Sequence, residues 1–498
     1  MLPDSALQQQ QQQLWFSLVF HSIETEVPFW GSFSEGPSVS WASNEACCDC
    51  PPCNVGWEPV GGGSRISVGQ HQLGVSSVSW EACGGVAVVV SVGSWPSVVF
   101  LPPSWPPGIG FSNGETWRQL RQFATATLCS LEERIQERIQ EEAGFLVESL
   151  WSMKGRPLDP SRLLSRVTTN ILCSVAFGSR FDYEDEEFLR FIHLLEENAR
   201  LQSCTMTKAC SGAAAGATGN HRWVYNVFPS VLDYCPGSHQ TIFKNTNELK
   251  QFISRRVKKE APQPGTPRGF IDAFLLKMEQ EKWNSRSAFS PQSLERSTLD
   301  LFVAGAESTS LVLKYMLLAL MKYPEVQEKV RQDIDRVIGP SQTPCLADLS
   351  QMPYTDAVIH EVHRSLALVP LNVPHAVTKD TLFRQYLIPK GTTIFPALKA
   401  SLYDKAEFPH PERFDPGHFL DGKGALRKSE FFIPFSIGQR ACLGERMASV
   451  TIFVCLATLL QHFRLRPHVP PEELDLSPTV GFLTTAPKPY QLSLDPRW

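Results

Sequence analysis

Phe435-Ser436-Ile437-Gly438-Gln439-Arg440-Ala441-Cys442-Leu443-Gly444 reads as a loop that holds a sulfur anion. Gly438 and Gly444 let the backbone turn sharply and come close to a flat ligand. Arg440 can fork onto a carboxylate, and Phe435 can screen the sulfur from water. Behind the loop, Ala448–Leu460 has the length and apolar density of a buried helix. The positive N-terminal end of that helix would favour a thiolate at Cys442. For a single cysteine the plainer reading is a small buried hydrophobe. The spacing F-x-x-G-x-R-x-C-x-G is what weighs against it here.

The other 488 residues set bounds on what surrounds this loop, since 498 residues in all allow a large core. A formal net charge of -5 offers no basic excess for nucleic acid. The 13 cysteines are an odd number with no pairing rhythm and no secretory signal, which argues for reduced thiols in a cytosol-facing protein. Leu14–Phe20 is too short to span a membrane and follows a glutamine run, so no N-terminal anchor is recognised. Gly84–Leu101 is free of charge, but its Gly, Ser, Pro and Val content reads as irregular or strand-like.

Residues 1–106 form an atypical, irregular region with a glutamine run and the cluster Cys47, Cys48, Cys50 and Cys53. That cluster has zinc-like spacing but no matching second pair, which favours incidental cysteines. Residues 107–498 form a second, helix-rich unit that holds the Cys442 loop. Helical spacing of Ile135, Ile139, Leu146 and Leu150 marks one helix there. Others are expected over Arg162–Phe177, Glu187–Leu201, Asn245–Lys259 and Tyr354–Ser365, with a glycine-rich loop or insertion at Cys204–Asn220. Pro324 starts a surface helix over Val326–Ile338. Leu294–Tyr323 reads as a long central helix, broken near Ser308–Ser310 or running through. Val369–Phe395 and the stretch after Phe463 are strand-like.

Three further motifs carry chemistry. In Ala304-Gly305-Ala306-Glu307-Ser308-Thr309, small residues let a flat cofactor approach the helix, and an acid beside a hydroxyl can pass protons inward. The same residues also suit close helix packing with a solvated glutamate. Glu361 and Arg364 share a helix face, which at a surface is worth only ~0–1 kcal/mol. Trp117 and Arg121 lie one helical turn apart and can both reach a carboxylate.

Together with the Cys442 loop, these motifs resemble the cytochrome P-450 family of haem-thiolate monooxygenases. The resemblance covers about Gly108 to Trp498. It is closest to the microsomal family-2 type through Phe111-Ser112-Asn113-Gly114-Glu115, Tyr225-Asn226-Val227-Phe228-Pro229 and Ile388-Pro389-Lys390-Gly391-Thr392-Thr393. It implies a mainly α fold with a small β portion and haem between the central helix and the Cys442 loop. Cys442 is then the axial iron ligand, in a loop shaped by Phe435, Gly438 and Gly444. Trp117, Arg121, His375 and Arg440 would bind the propionates, although a lone histidine such as His375 is more often structural.

The resemblance further makes Glu307, Ser308 and Thr309 a proton relay, with Ser308 where the family usually has threonine. Serine lacks the methyl that fixes the rotamer, so delivery is expected to be leakier. Glu361, Arg364 and Arg413, the last from Pro411-Glu412-Arg413-Phe414, would form a buried structural network. Phe302, Ala304, Ala306, Val369, Leu371, Val373, Phe482 and Leu483 would line an apolar pocket. The implied reaction inserts one oxygen atom from O2 into a lipophilic xenobiotic, fatty acid or steroid. Electrons would come from NADPH through a flavoprotein reductase docked on the face of Arg118, Arg121 and Arg446. The implied location is the cytosolic face of the endoplasmic reticulum membrane. Two departures stand against this. The family's membrane helix, hinge and first sheet are not recognisable in residues 1–106, and Ser211–Arg222 looks inserted. The alternative is therefore a catalytically impaired variant, with an incomplete N-terminal sheet, that binds haem poorly.

Overall fold

Helices form where the apolar spacing called for them, and also over Phe270–Gln280, Leu346–Leu349 and Leu398–Leu402, where none was marked, and over Cys204–Ser211, which was expected to be loop. In chain order they are α1 (Gly114–Ser130), α2 (Glu132–Ser152), α3 (Ser161–Phe177), α4 (Glu186–Ser211), α5 (Ser238–Lys259) and α6 (Phe270–Gln280). Then follow α7 (Pro291–Lys322), α8 (Pro324–Val337), α9 (Leu346–Leu349), α10 (Pro353–Leu366), α11 (Leu398–Leu402) and α12 (Glu445–His462). The computed structural model describes residues 107–211, 238–259, 266–383, 386–481 and 483–497, and three strands within 66–92. For those strands, for 203–211 and for 238–239 it describes the backbone alone. The glutamine run, the cysteine cluster, the proposed insertion beyond Ser211, Tyr225–Pro229 and Phe482 lie outside the described residues.

The central helix α7 is unbroken through Ser308–Ser310. Pro291 presets its first turn. Ser290 Oγ accepts from the Ser293 backbone N–H at 3.1 Å while the Ser290 N–H donates to Ser293 Oγ at 2.8 Å, a reciprocal cap. At the other kind of end, α3 stops where Gly178 takes φ +79 and its N–H donates to Ser174 O at 3.0 Å. A Cβ at that glycine would come within 2.8 Å of Arg268 Cβ.

α7 joins two cores. Its C-terminal half packs with α2, α3, α8, α10 and α12 in an aliphatic cluster that includes Leu146, Leu318, Val330, Val362 and Leu456. Its N-terminal half packs with α1, α3, α4, α5 and α6 in a cluster rich in phenylalanine, including Phe177, Phe191, Phe252, Phe274 and Phe302. Phe302 stacks on Phe177 at 5.5 Å between ring centroids and meets Phe191 edge-on at 4.9 Å. Among the described residues α7 is the one helix long and apolar enough to cross a membrane, and most of its apolar stretch is inside the protein.

The β portion is small. Strands β1 (Ile66–Gln70), β2 (Ser76–Trp80) and β3 (Ala87–Val92) precede β4 (His375–Ala376), β5 (Thr381–Phe383), β6 (Tyr386–Ile388) and β7 (Thr393–Ala397). β8 (Phe463–Pro467), β9 (Thr479–Val480), β10 (Thr485–Ala486) and β11 (Leu492–Pro496) complete the set. One sheet has the order β1-β2-β3-β7-β4, and three two-stranded pairs are β5-β6, β8-β11 and β9-β10. The region read from sequence as irregular thus contributes β1 and β2, while β3 falls within Gly84–Leu101, read as irregular or strand-like. Val89 sits opposite Phe395 and Val90 opposite Ile394, all pairings being antiparallel. Serine and glycine in Ile66–Gln70 and Ser76–Trp80 dilute the alternation that marks a strand, and only Ala87–Val92 has dense β-branching.

Candidate active site around Cys442

The loop before α12 is held in a strained shape. The Cys442 N–H donates to Phe435 O at 2.9 Å and the Ala441 N–H to Gly438 O at 3.1 Å. Gly438 takes φ +80, natural for glycine, while Ser436 takes φ +63, which for a side-chain-bearing residue costs roughly 1–2 kcal/mol. Asn372 Nδ2 holds that serine by donating to its Oγ at 2.9 Å. A Cβ at Gly438 or Gly444 would meet nothing within 4 Å, so both glycines face open space.

Cys442 is exposed, yet burial by the surrounding protein is the largest influence on its thiol and pushes the pKa up. The Gly444 and Glu445 backbone N–H groups and the Arg121 charge pull it down, and the Glu445 charge adds to the rise. The helix end therefore acts in the expected direction but is outweighed. The sulfur is accessible while desolvation holds its proton on, and a coordinated metal would deprotonate it outright.

The expected cationic residues gather here, partly occupied by backbone. Arg121 Nη2 donates to Ala441 O at 2.7 Å. Arg440 Nη2 donates to Ser112 O at 2.7 Å and Asn113 Oδ1 at 3.2 Å, and its guanidinium lies 4.0 Å over the Trp117 ring. A guanidinium has five N–H donors, so these bonds still leave donors for a carboxylate. His375 begins β4, where its Nδ1 donates to Val373 O at 2.7 Å. Arg121 is turned toward the loop rather than lying on a docking face. Arg118 and Arg446 are exposed but paired with Glu115 and Glu132.

Residues 107–113 tie the loop to the central helix. Asp300 on α7 accepts the Gly110 N–H at 2.9 Å and pairs with Arg296 at 2.7 Å, both side chains being nearly inaccessible. Arg440 reaches the same strap at Ser112. One turn beyond Asp300, Val303 is 55% exposed and Ala304 is also exposed, midway along an otherwise buried helix. Val373 and Ile437 add exposed apolar surface from the segments joined by the Asn372–Ser436 bond.

This phase corrects part of the expected pocket. Phe302 and Ala306 are buried in the phenylalanine core, and Ala306 O accepts from Thr168 Oγ1 at 2.8 Å. Thr309 is also buried, on the same side. A Cβ on Gly305 would sit 3.2 Å from two Leu172 methyls, so its smallness serves the packing of α3 on α7 rather than cofactor approach. Ala304 stays on the open side; Val369, Leu371 and Leu483 are half-buried. The neighbour that sequence reasoning missed is Val303. Helical spacing from Glu307, one turn on, could have found it.

Glu307 is half-buried, and burial first, then the Glu196 charge, pushes its pKa up to about 7. Ser308 Oγ donates to Ala304 O at 2.7 Å. This acid and hydroxyl can hold and pass a proton near neutral pH.

Beneath the loop, Glu361 and Arg364 are fully buried and joined by two 2.7 Å bonds. Arg364 also donates to Leu402 O at 3.1 Å and Arg413 O at 3.0 Å. The expected third member is corrected: Arg413 offers its carbonyl, and its side chain is exposed. The side chain that does reach the carboxylate is His418, whose Nδ1 lies 3.2 Å from Glu361 Oε2.

The model of the family described as Cytochrome P450 matches residues 100–494. The chain is 49% identical over 395 residues to cytochrome P450 2H1 of Gallus gallus, covering 78% of this chain and 77% of the relative. It is 46% identical over 394 residues to cytochrome P450 2C29 of Mus musculus, with the same coverage. The chain belongs to the cytochrome P450 family. It is a haem-thiolate monooxygenase of the family-2 type, using haem iron, O2 and electrons from a reductase. The residues fit the group: Cys442 is an accessible soft sulfur donor, Gly438 and Gly444 leave open space, Arg121 and Arg440 are bonded at the same loop, and Val303 and Ala304 expose apolar surface on α7. Bound haem supplies the activation of O2, tuned by its thiolate ligand. In such a site Cys442 would present the sulfur, Arg121 and Arg440 would offer donors to carboxylates, Val303 and Val373 would shield it with hydrocarbon, and Glu307 would hold a proton.

Proposed function

We propose that this enzyme inserts one oxygen atom into a lipophilic small molecule, a xenobiotic, fatty acid or steroid, held over Cys442 against Val303, Ala304 and Val373. The observation that carries this reading is an exposed apolar turn on the long helix α7, in a chain whose accessible Cys442 stands between two glycines with open space beside them. Cys442 is the axial ligand, with Phe435, Gly438 and Gly444 shaping its approach. Trp117, Arg121, Arg440 and His375 hold the propionates. Glu307 and Ser308 deliver protons; the burial of Thr309 speaks against a direct part for it.

An NADPH-dependent flavoprotein reductase docks near Arg118 and Arg446, and the protein works on the cytosolic face of the endoplasmic reticulum membrane. Support for a membrane surface comes from the β5-β6 hairpin, where Leu382 and Leu387 face each other in register and are 70% and 66% exposed.

Carbon monoxide added to the reduced, haem-loaded protein tests the ligand. The expected result is a thiolate-type Soret shift that Cys442→Ala abolishes. A shift that survives in Cys442→Ala removes Cys442 as ligand. Purified wild type that retains no haem favours the impaired-variant reading instead.

A further inference from the structure

His418 lies on the short 3-10 turn Pro416–Phe419 and is only 7% exposed. Both of its ring nitrogens face acceptors. Nδ1 is 3.2 Å from Glu361 Oε2, and Nε2 is 2.7 Å from Pro409 O. A neutral imidazole has one N–H, so it would set a nitrogen lone pair against an oxygen lone pair at one of these contacts. Only the imidazolium donates at both. The Glu361 carboxylate, which also accepts the Asp415 backbone N–H at 2.9 Å, then sits between two cations.

We propose that His418 is a positioning residue that keeps both ring protons at neutral pH, and that losing one at alkaline pH loosens the support of the Cys442 loop.

The connections to that loop are short. Arg427 Nη2 donates to His418 O at 2.7 Å. Phe419 packs edge-on against Phe432 at 5.0 Å, three residues before Phe435. Arg364 holds Leu402 O, and the neighbouring Ser401 Oγ donates to Phe431 O at 2.8 Å. A slack carboxylate at Glu361 therefore reaches the loop from two directions.

The charged groups around His418 are known from each side. α10 presents Glu361 and Arg364. Arg413, Asp415 and Arg427 line the adjoining cleft of about 520 Å³, with Glu407 paired to Arg427 at 2.6 Å and His410 at its rim. Burial works against the charged imidazole, as does the Arg364 charge. The bonds to Glu361 and Pro409 and the Glu361 charge outweigh them and raise its pKa. With the folded value above the unfolded one, the stabilisation is complete below about 6.5 and disappears as pH rises through the folded value.

Unfolding haem-loaded protein in guanidinium at about pH 7.5 in weak buffer tests this directly. Wild type should release about one proton more than His418→Gln, because the unfolded imidazole is mostly neutral there. Equal release overturns the proposal. If His418→Gln fails to fold, His418→Arg replaces it, since arginine is a permanent cation. It should keep the thiolate-type spectrum at alkaline pH where wild type loses it, and loss at the same pH overturns the proposal. If neither variant folds, the melting temperature of Glu307→Gln, which removes the other group titrating near 7, decides between pH 6.5 and 8.5: a fall supports the proposal, and a flat or rising curve ends it.

Discussion

Phe302, Gly305, Ala306 and Thr309 on one side of α7 lie against α3 and the phenylalanine core. Val303, Ala304, Glu307 and Ser308 lie on the other, with only partial cover or none. The two sets alternate in pairs along the chain, so one six-residue motif serves packing and chemistry at once. Small side chains on the packed side let α3 come close. Small side chains on the open side leave room for a flat group. The same composition thus has two causes, separated only by rotation about the helix axis.

The largest effect expected from this contrast is a difference in stability. Phe302→Ala should cost about 3–5 kcal/mol, as for other fully buried phenylalanines. Val303→Ala, one residue on, should stay within about 0.5 kcal/mol. Denaturant midpoints of the haem-loaded proteins would measure both. Val303→Ala should instead weaken the spectral response to a lipophilic ligand. Equal destabilisation by the two substitutions would break the division into faces.

Gly305→Ala sharpens the contrast on a smaller scale. Its new methyl sits 3.2 Å from both Leu172 methyls, an overpacking cost of about 1–3 kcal/mol. Replacing glycine inside a helix returns about 1 kcal/mol, so the net loss should be about 1 kcal/mol. Adding Leu172→Ala should make the two changes non-additive in a double-mutant cycle. Strict additivity would mean the glycine is not there for α3.

The uneven legibility of this chain follows from the same physics. The Cys442 loop was readable because glycine, arginine and cysteine at fixed spacing have few other uses together. The long helices were readable because leucine and isoleucine mark a buried stripe. The phase of Ala304–Thr309 was not, because alanine, glycine and serine suit either face and carry no polarity signal. Arg413 was assigned by its motif, but sequence spacing cannot say whether a residue offers its side chain or its carbonyl. His418 had no signal of its own, since its partner Glu361 lies 57 residues away. β1 and β2 were hidden by serine and glycine, whereas the β-branched β3 left a strand-like signal and pairs with β7, some 300 residues later.

The smallest effect on stability concerns Ser308. Its hydroxyl bonds back to Ala304 O, a contact that adds little to a helix, so Ser308→Ala should change stability by less than about 0.5 kcal/mol. The consequence should appear in chemistry instead. Glu307 titrates at about 7, its acid form favoured by burial and then by the Glu196 charge. Below that pH the carboxyl holds a proton to give; above it the proton is gone. Peroxide released per NADPH consumed should therefore rise as pH passes upward through about 7 in wild type. Glu307→Gln should flatten that step, and Ser308→Ala should raise the ratio at every pH. Ser308→Thr should lower it, because the added methyl restricts the hydroxyl's rotamers. If Ser308→Ala leaves the ratio unchanged while Glu307→Gln moves it, the proton reaches the site without the hydroxyl, and the open face of α7 contributes one relay group rather than two.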